Sequence, residues 1–320
     1  MTQLAVALLG LGRAGSTLHL PALRRIGAAR VVVAADPDAP GRERARAAGI
    51  EVTADWRRAL EPDVDAVLVA TPPATHFELA AAALAARKHV YVEKPMTTSL
   101  ASARELAELA GRSGKTLQVG FAYRYHPLWR RVHALAASGR TGPLVRAHGQ
   151  FTTARAGDGW SSPVVDLASH HLDLLSWLTG SPPEEVEARS PTELRARWAS
   201  GAEFDGAYRE GGPADAVELE FAQGTVIVDR LAGVRLRGRG VRLGVGGLPD
   251  PGLVRARAGG RGWERSFESA LRAFVAAAVE GRPGWPGADA GLAAVDGAEA
   301  TLRSLANARA EPVGPGKPPK

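Results

Sequence analysis

The chain contains 320 residues, and a domain size of roughly 150 residues predicts that they form two domains. Hydrophobic residues make up 45% and charged residues 23% of the chain, and its 37 glycines and 22 prolines stay below the roughly 25–30% that marks low-complexity chains. Disordered, collagen-like and coiled-coil proteins are therefore excluded. The sequence contains no cysteine, which excludes disulfides, thiolate metal sites and a cysteine nucleophile and indicates a cytoplasmic protein.

No stretch of the sequence approaches the roughly 20 apolar residues that a membrane-spanning helix needs. Leu4–Leu9 is apolar enough for the core of a signal peptide, but it lacks a basic segment before it and a small-residue cleavage site after it. We therefore expect neither a membrane protein nor a secreted one.

The net charge of +6 comes from 40 basic residues, of which only five are lysines. The densest basic run, Arg230–Arg261, is not accompanied by groups that stack on bases or read them. Within it, Val234–Arg237 and Val241–Val245 alternate with period two, which is typical of strands with one solvated face. The pattern favours a solvated sheet, and we expect no nucleic-acid partner.

Residues 1–120 alternate short apolar runs with helical stretches. The runs are typical of parallel strands buried on both faces, and Ser99 is a suitable N-cap for one of the helices. The predicted strands are Gln3–Leu9, Val31–Asp36, Val64–Ala70, His89–Glu93 and Thr116–Gly120, and the predicted helices include Phe77–Ala86 and Ser99–Arg112. This alternation predicts a doubly wound parallel sheet.

Residues 121–310 follow a different pattern, in which strands follow one another and a short hairpin connection lies at Phe221–Thr225. The predicted strands are Leu144–Thr153, Glu184–Ser190, Ala216–Phe221, Thr225–Arg230 and the arginine-rich pair, and the predicted helices are Asp166–Leu178, Phe267–Glu280 and Ala290–Ala308. We predict an α+β domain with an open, mainly antiparallel sheet, helices on one side, and a late helix able to pack back on the first domain. Residues 311–320 are rich in proline and glycine and are expected to form a flexible tail.

The segment Gly10-Leu11-Gly12-Arg13-Ala14-Gly15 follows the first predicted strand and precedes a helical stretch. In this context Gly10 makes a tight turn, Gly12 lets the backbone approach a pyrophosphate, and Gly15 allows close packing of helix and strand. Asp36 lies at the end of the next predicted strand, 21 residues after Gly15. This separation is close to the ~20 residues expected for a carboxylate that binds the adenosine ribose. The alternative, a glycine turn followed by a capping aspartate, does not require all three features together. The sequence predicts dinucleotide binding.

The residues around Asp36 favour NAD over NADP. Pro37 and Asp38 follow it, so that two carboxylates would repel a 2′-phosphate. The alternative stays open because Arg13, Arg42 and Arg44 are able to reach toward such a phosphate. The predicted cofactor is NAD, with NADP possible.

Lys94 is unusual because the chain otherwise uses arginine almost throughout. Glu93-Lys94-Pro95 lies at the end of a predicted strand, where ligands of open α/β sheets collect. A lysine there supplies a compact ammonium that is able to donate or lose a proton. A salt bridge with Glu93 is an equally good explanation on this observation alone.

Asp166 and His170 are four residues apart on a predicted helix and therefore share one face, whereas His171 points away. A carboxylate beside an imidazole orients it and favours its protonated form, which suits general acid–base catalysis. The alternatives are a surface Asp–His pair and a metal site formed by His170, His171 and Asp173. Adjacent histidines diverge by about 100° on a helix and no third cluster completes a shell, so we expect no metal.

These motifs together resemble the glucose–fructose oxidoreductase, inositol dehydrogenase and rhizopine catabolism (Gfo/Idh/MocA) family. The likeness rests on the glycine-rich turn and on four further segments, and it continues to the helix that contains Glu299, Ala300 and Ser304. The segments are Ala70-Thr71-Pro72-Pro73-Ala74-Thr75-His76, Lys88–Pro95, Gly120–Pro127 and Asp166-x3-His170-x2-Asp173. Two departures are Ser161-Ser162-Pro163, where the family has a glycine-rich lead-in, and Ala122-Tyr123, where a polar pair is more usual.

The resemblance implies a Rossmann domain at residues 1–120 and a substrate-binding and oligomerisation domain at 121–310, with NAD(P) bound between them. It implies that Thr71, Pro72 and His76 lie near the dinucleotide, and that Glu93 and Lys94 lie near its nicotinamide end. Arg124, Asp166 and His170 are expected to bind the substrate, and Trp160 is a candidate apolar wall for a sugar face.

The implied reaction is hydride transfer between a secondary hydroxyl of a sugar, cyclitol or related polyol and nicotinamide. His170 would remove the hydroxyl proton, Lys94 would stabilise the developing alkoxide, and Asp166 would orient the substrate or His170. Two alternatives remain: a glycosidase that uses NAD transiently, and a dinucleotide sensor without redox activity. The open sheet also leads us to expect a homodimer or homotetramer that packs through the second domain.

Overall fold

The computed structural model describes residues 3–153, 163–211, 214–229, 233–237 and 262–314. These residues form two compact units. One unit contains the residues up to Ala122 together with Glu264–Val295, and the other contains those from Tyr123 to Trp263 and from Asp296 onward. No helix within the described ranges is long and apolar enough to cross a membrane.

Helices alternate with strands in the first unit and flank the strands of the second. Their bounds are α1 Leu20–Leu23, α2 Ala39–Ala47, α3 His76–Ala85, α4 Leu100–Ser113, α5 Pro127–Ala137, α6 Pro163–Thr179, α7 Gly262–Val279 and α8 Ala288–Asn307. A π-helical turn, Ala14–His19, leads directly into α1. Ser99 caps α4 as predicted, since its hydroxyl accepts a hydrogen bond from the Ser102 N–H.

The first unit contains a parallel sheet with the strand order β3-β2-β1-β4-β5-β6. Its strands are β1 Leu4–Leu9, β2 Ala29–Ala35, β3 Glu51–Thr53, β4 Ala66–Val69, β5 His89–Val92 and β6 Leu117–Val119. Every residue of β1, β4 and β5 is buried, as the continuous apolar runs predicted. The strand order reverses direction between β1 and β4, and the carboxyl ends at such a switch point form the usual ligand-binding edge.

The β6 edge of this sheet is covered by the segment between α7 and α8. The Val119 N–H donates to the Pro286 carbonyl at 2.8 Å. A Cβ on Gly284 would lie 2.3 Å from the Leu117 carbonyl oxygen, so only glycine allows this close approach. The Gln118 side-chain amide donates to the Ala270 carbonyl at 2.9 Å, which fixes α7 to the same edge.

The second unit contains a mixed sheet with the strand order β13-β12-β11-β7-β10-β9-β8-β14. Its strands are β7 Leu144–Thr153, β8 Glu185–Ser190, β9 Glu193–Arg197, β10 Glu203–Glu210, β11 Ala214–Phe221, β12 Gly224–Asp229, β13 Gly233–Arg237 and β14 Glu311–Pro312. Strands β7 and β10 are parallel and the other neighbours are antiparallel. The predicted fold class, a doubly wound parallel sheet plus an α+β domain with a mainly antiparallel sheet, is confirmed.

The structure differs from the sequence prediction at several elements. Strands β9 and β10 were not predicted, because charged residues and glycine leave them few apolar positions. Helix α5 was missed although its buried residues Leu128, Trp129, Val132 and Leu135 follow helical spacing. The flexible tail is wrong for Glu311 and Pro312, which pair with β8, and the Glu311 carboxylate is buried and accepts from Arg309 Nε at 2.9 Å. The predicted strand Val241–Val245 and residues 315–320 lie outside the described residues.

Candidate active site

The glycine-rich turn between β1 and α1 has three glycines with three different surroundings. A Cβ on Gly10, whose φ is +92°, would lie 2.5 Å from the Ala70 carbonyl oxygen, and a Cβ on Gly15 would lie 1.9 Å from that of Gly10. A Cβ on Gly12 would meet no heavy atom within 4 Å. Gly10 and Gly15 are therefore required by packing, whereas Gly12 leaves its surroundings open for a ligand that approaches the backbone.

Asp36 follows β2 and faces the glycine-rich turn. Its Oδ2 accepts the Leu11 N–H at 2.5 Å, and its Oδ1 accepts the Asp38 N–H at 2.8 Å. The half-buried carboxylate is thus fixed beside the turn by two backbone donors. Its remaining lone pairs suit the hydroxyls of a ribose.

Three arginines left NADP as an alternative cofactor, and the structure gives them different contacts. Arg42 Nη1 donates to the carbonyls of Asp36 and Pro37, both at 2.6 Å, so this side chain braces the loop after β2. Arg44 Nη2 lies 3.3 Å from the Leu11 carbonyl oxygen, and Arg13 is exposed. Arg42 is therefore held to the backbone, and the two exposed arginines are the candidates for contact with phosphate.

His76 joins the loops that follow β4 and β5. Its ring is buried, with Nδ1 2.8 Å from the Pro95 carbonyl oxygen and Nε2 2.9 Å from that of Thr71. The imidazole therefore fixes the position of the Thr71-Pro72 segment relative to Pro95. This places His76 as a support for the two loops, while Thr71 and Pro72 are on their partly exposed surface.

Glu93 and Lys94 follow β5 at the same edge of the sheet. Glu93 Oε2 accepts the Lys94 backbone N–H at 3.1 Å, and Glu93 Oε1 lies 2.8 Å from Nε2 of the buried His19. A Cβ on Gly120 would lie 2.9 Å from the Glu93 carboxylate, so glycine makes room for it. The contact between Glu93 and His19 was not predicted from the sequence, because 74 residues separate the partners.

The surroundings of the turn fit a dinucleotide. The open backbone at Gly12, the start of a helix at Ala14 and the carboxylate of Asp36 are the three features that such a ligand requires. Within the described ranges no group of histidine, aspartate and glutamate is arranged to hold a metal ion.

In the second unit, α6 carries Asp166 and His170, both partly exposed. The His170 imidazole is stacked on the Phe151 ring, with centroids 5.8 Å apart and planes at 9°, and the Tyr123 ring meets it edge-on at 4.9 Å. Two aromatic rings therefore fix the orientation of this imidazole. Trp160, the predicted apolar wall, and Ser161-Ser162 lie outside the described residues.

His171 points away from Asp166, as predicted, but it belongs to a buried polar network that the sequence did not predict. Its Nε2 lies 3.4 Å from Asp215 Oδ1, and its Nδ1 lies 3.3 Å from the Tyr208 hydroxyl. The Tyr123 hydroxyl donates to Asp215 Oδ2. Burial, reinforced by the Asp215 carboxylate, raises the pKa of Tyr208, so that this hydroxyl keeps its proton.

The network is built into the sheet by two glycines that are paired between β7 and β10. A Cβ on Gly149 would lie 2.6 Å from His171 Nδ1, and a Cβ on Gly206 would lie 2.5 Å from the Tyr208 hydroxyl. Glycine at both positions therefore provides the space for His171 and Tyr208. Through Tyr123, the network supports one of the rings that hold His170.

Arg124 is buried and forms an ion pair with Asp173 on α6. Its Nη2 donates to Asp173 Oδ1 at 2.7 Å, and its Nε lies 3.0–3.1 Å from both carboxylate oxygens. Burial raises the pKa of Asp173 to about 6, and the Arg124 charge acts in the opposite direction. The structure thus gives Arg124 a role in anchoring α6, and the predicted contact with substrate stays a prediction.

The chain matches two models of one family. The first, an oxidoreductase family with an NAD-binding Rossmann fold, matches residues 4–121, and the second, the Gfo/Idh/MocA C-terminal domain, matches residues 129–232. Together they account for more than two thirds of the chain. The chain belongs to the Gfo/Idh/MocA oxidoreductase family. The resemblance stated from the sequence is therefore confirmed, and so is NAD binding by the Rossmann domain.

Several relatives of this Gfo/Idh/MocA chain carry the name inositol 2-dehydrogenase. It is 36% identical to inositol 2-dehydrogenase 4 of Saccharopolyspora erythraea over 196 residues. This alignment covers 59% of this chain and 58% of that protein. It is 27% identical to inositol 2-dehydrogenase of Gluconacetobacter diazotrophicus over an alignment of 329 positions. This alignment covers 97% of this chain and 96% of that protein. The solved structure of GenD2 from gentamicin A biosynthesis, in complex with NAD, is 27% identical with a TM-score of 0.81 and covers 98% of this chain and 97% of that chain.

Proposed function

We propose that this protein transfers a hydride between a secondary hydroxyl of a sugar, cyclitol or related polyol and the nicotinamide of NAD. The observation that carries the proposal is the similarity over 97% of the chain to a protein named inositol 2-dehydrogenase. The two family models, matched in order along the chain, and the arrangement of the glycine-rich turn and Asp36 support it.

The first unit supplies the residues that hold the cofactor in this proposal. Gly12, Arg13 and Ala14 would contact the phosphates, and Asp36 would accept hydrogen bonds from the adenosine ribose. Thr71, Pro72, Glu93 and Lys94, all near the carboxyl ends of β4 and β5, would contact the nicotinamide end. When it is bound, nicotinamide supplies the hydride acceptor that side chains lack.

The proton of the substrate hydroxyl is the part of the reaction that the chain itself must handle. We assign its removal to the His170 imidazole, whose orientation is fixed by Tyr123 and Phe151. The Lys94 ammonium would stabilise the negative charge that develops on the oxygen. Asp166, one helical turn before His170, would orient the substrate or the imidazole.

The cofactor preference follows from the carboxylates after β2. We expect the protein to bind NADH more tightly than NADPH, because Asp36 and Asp38 repel a 2′-phosphate and Arg42 is held by backbone carbonyls. Replacement of Asp36 by alanine should reduce the difference in affinity between NADH and NADPH, since it removes both the ribose acceptor and a repulsive charge. Titration of both dinucleotides by fluorescence tests this expectation, and equal dissociation constants in the unmodified protein would contradict it.

A panel of sugars, cyclitols and deoxy sugars, each assayed with NAD and NADP, tests the proposed reaction. A dehydrogenase produces absorbance at the NADH band in proportion to turnover. Release of an aglycone without net NADH would instead identify a glycosidase, and binding of dinucleotide with neither signal would identify a sensor.

We also propose that the protein acts in the cytoplasm as a homodimer or homotetramer, with copies packed through the outer face of the second sheet. Side chains of opposite charge alternate on this face: Arg195 lies 3.0 Å from Asp205 on the neighbouring strand, and Arg146 lies 3.3 Å from Glu203. In the proposed assembly, a two-fold axis would bring these rows of two copies against each other.

A further inference from the structure

His19 lies at the end of the π-helical turn that begins in the glycine-rich segment, and its side chain is fully buried. Tyr91 and Phe267 meet its ring edge-on, with centroids 5.6 and 5.5 Å away. Its Nε2 lies 2.8 Å from Glu93 Oε1, and the other oxygen of that carboxylate accepts the Lys94 backbone N–H. His19 is therefore one hydrogen bond away from the group that holds the backbone of Lys94.

Packing alone does not explain why a histidine occupies position 19, because its imidazole carries an unfavourable buried polar atom. Its Nδ1 is buried and has no hydrogen-bond partner among the described residues. An unsatisfied buried polar atom is unfavourable, and an apolar side chain would fill a space between two aromatic rings without that cost. The contact with Glu93 is the gain that offsets it, since hydrogen bonds to charged groups are the stronger ones. The geometry thus indicates that His19 is present for Glu93.

The donor in this contact is the imidazole. A carboxylate only accepts hydrogen bonds, so Nε2 carries the proton and donates it to Glu93 Oε1. The carboxylate then has one donor on each oxygen, from the helix on one side and from its own strand end on the other.

We infer that His19 is a positioning residue for Lys94, which acts by fixing the Glu93 carboxylate. This inference rests on the proposed function, in which Lys94 stabilises the substrate oxygen. The same residue ends the helical turn that starts at the glycine-rich segment, so one hydrogen bond connects the backbone proposed to hold the cofactor phosphates with the strand end that carries Lys94.

The first experiment observes Lys94 directly and does not depend on turnover. The chain contains only five lysines, so reductive methylation with 13C-formaldehyde gives few NMR signals, and Lys94→Arg assigns the one of interest. His19→Leu should displace the Lys94 signal, whereas His19→Gln, which keeps a side-chain N–H donor, should displace it less. Phe267→Leu is the matched control, because it disturbs the same packing around the imidazole and leaves both partners of the His19–Glu93 hydrogen bond in the sequence.

The second experiment measures turnover on a substrate found in the panel. His19→Leu should lower kcat by roughly 10–100-fold, the range expected when a catalytic group is misplaced by about 1 Å. His19→Gln should recover most of that loss, and Phe267→Leu should keep kcat near that of the unmodified protein. His19→Leu and Glu93→Gln should be non-additive, since they interrupt the same contact.

The outcomes separate this inference from the proposed function. If no substrate in the panel produces NADH but the Lys94 signal moves as expected, the proposed reaction fails while the positioning contact stands. An unmoved Lys94 signal in His19→Leu, or an equal displacement in Phe267→Leu, overturns the inference. If His19→Leu does not fold, the Lys94 signals of His19→Gln and Glu93→Gln are compared instead. A Lys94 signal that is unchanged in Glu93→Gln overturns the inference as well.

Discussion

Replacement of Lys94 or of His170 by alanine is expected to lower kcat by about 10²–10⁴, the usual contribution of a positioned acid–base group. The affinity for NADH should stay nearly unchanged, because Asp36 and the glycine-rich turn remain intact. Steady-state kinetics and fluorescence titration of NADH measure the two effects separately. Lys115→Ala is a control for the loss of a lysine from the same unit, and it should keep ordinary turnover.

The two losses should not add. If both groups act on one hydroxyl proton, the double variant should be little worse than the poorer single variant. The pH profile provides a second signature: kcat/KM for oxidation should rise as His170 loses its proton, and this limb should be missing from the profile of His170→Ala. Ordinary turnover with an unchanged profile in His170→Ala would show that the acid–base assignment is wrong and would make Lys94 the leading candidate for the base.

The parts of the structure that the sequence predicted well belong to a motif with a fixed spacing along the chain. The spacing Gly10-x-Gly12-x-x-Gly15 between a strand and a helix fixes which glycine is packed and which is open, and the contacts of all three agree with that assignment. Asp36 was identified by its separation from the turn, and its carboxylate indeed accepts a hydrogen bond from Leu11. A motif of this kind is predictable because its residues keep a fixed spacing along the strand–turn–helix–strand segment that forms it.

The parts that were missed depend on contacts between distant residues. Asp215 lies 92 residues from Tyr123 and 44 from His171, and no periodicity in the sequence brings these three together. Gly206 interrupts the apolar pattern of β10 and obscured that strand, although Gly206 and its partner Gly149 are both needed to accommodate the buried network. Departures from a strand pattern therefore marked a supporting element of the site.

The scarcity of lysine was a weaker signal than it seemed from the sequence. Lys88, at the other end of β5 from Lys94, is buried, and its Nζ donates to the carbonyls of Glu61 and Val64 at 2.8 and 2.7 Å. This second lysine fastens a turn beside the strand. The position of Lys94 at the carboxyl end of a parallel strand, rather than its rarity, is what supports a catalytic role.

Replacement of Arg124 by methionine is expected to destabilise the second unit by about 3–5 kcal/mol, because it leaves the Asp173 carboxylate buried without its cation. The loss should be largest above pH 6. With Arg124 present, burial already raises the pKa of Asp173 to about 6. Without Arg124 this pKa should be higher, because no positive charge counteracts the effect of burial. A folded-state pKa above that of the unfolded chain favours folding at low pH, so the loss should shrink as the pH falls toward 5. Urea unfolding at pH 8 and pH 5 measures both.

The double variant Arg124→Met/Asp173→Leu separates the structural role of Arg124 from the substrate contact predicted from the sequence. An apolar pair of similar volume removes the uncompensated charge, and replacing a buried ion pair in this way is often neutral or stabilising. Stability should therefore return to near that of the unmodified protein, and α6, which carries His170 one turn before Asp173, should regain its anchor. If Arg124 only anchors α6, the KM of the double variant should also recover. A KM that stays high in a protein of restored stability would show that Arg124 contacts the substrate, and a double variant less stable than Arg124→Met would show that the ion pair is needed for more than neutralising Asp173.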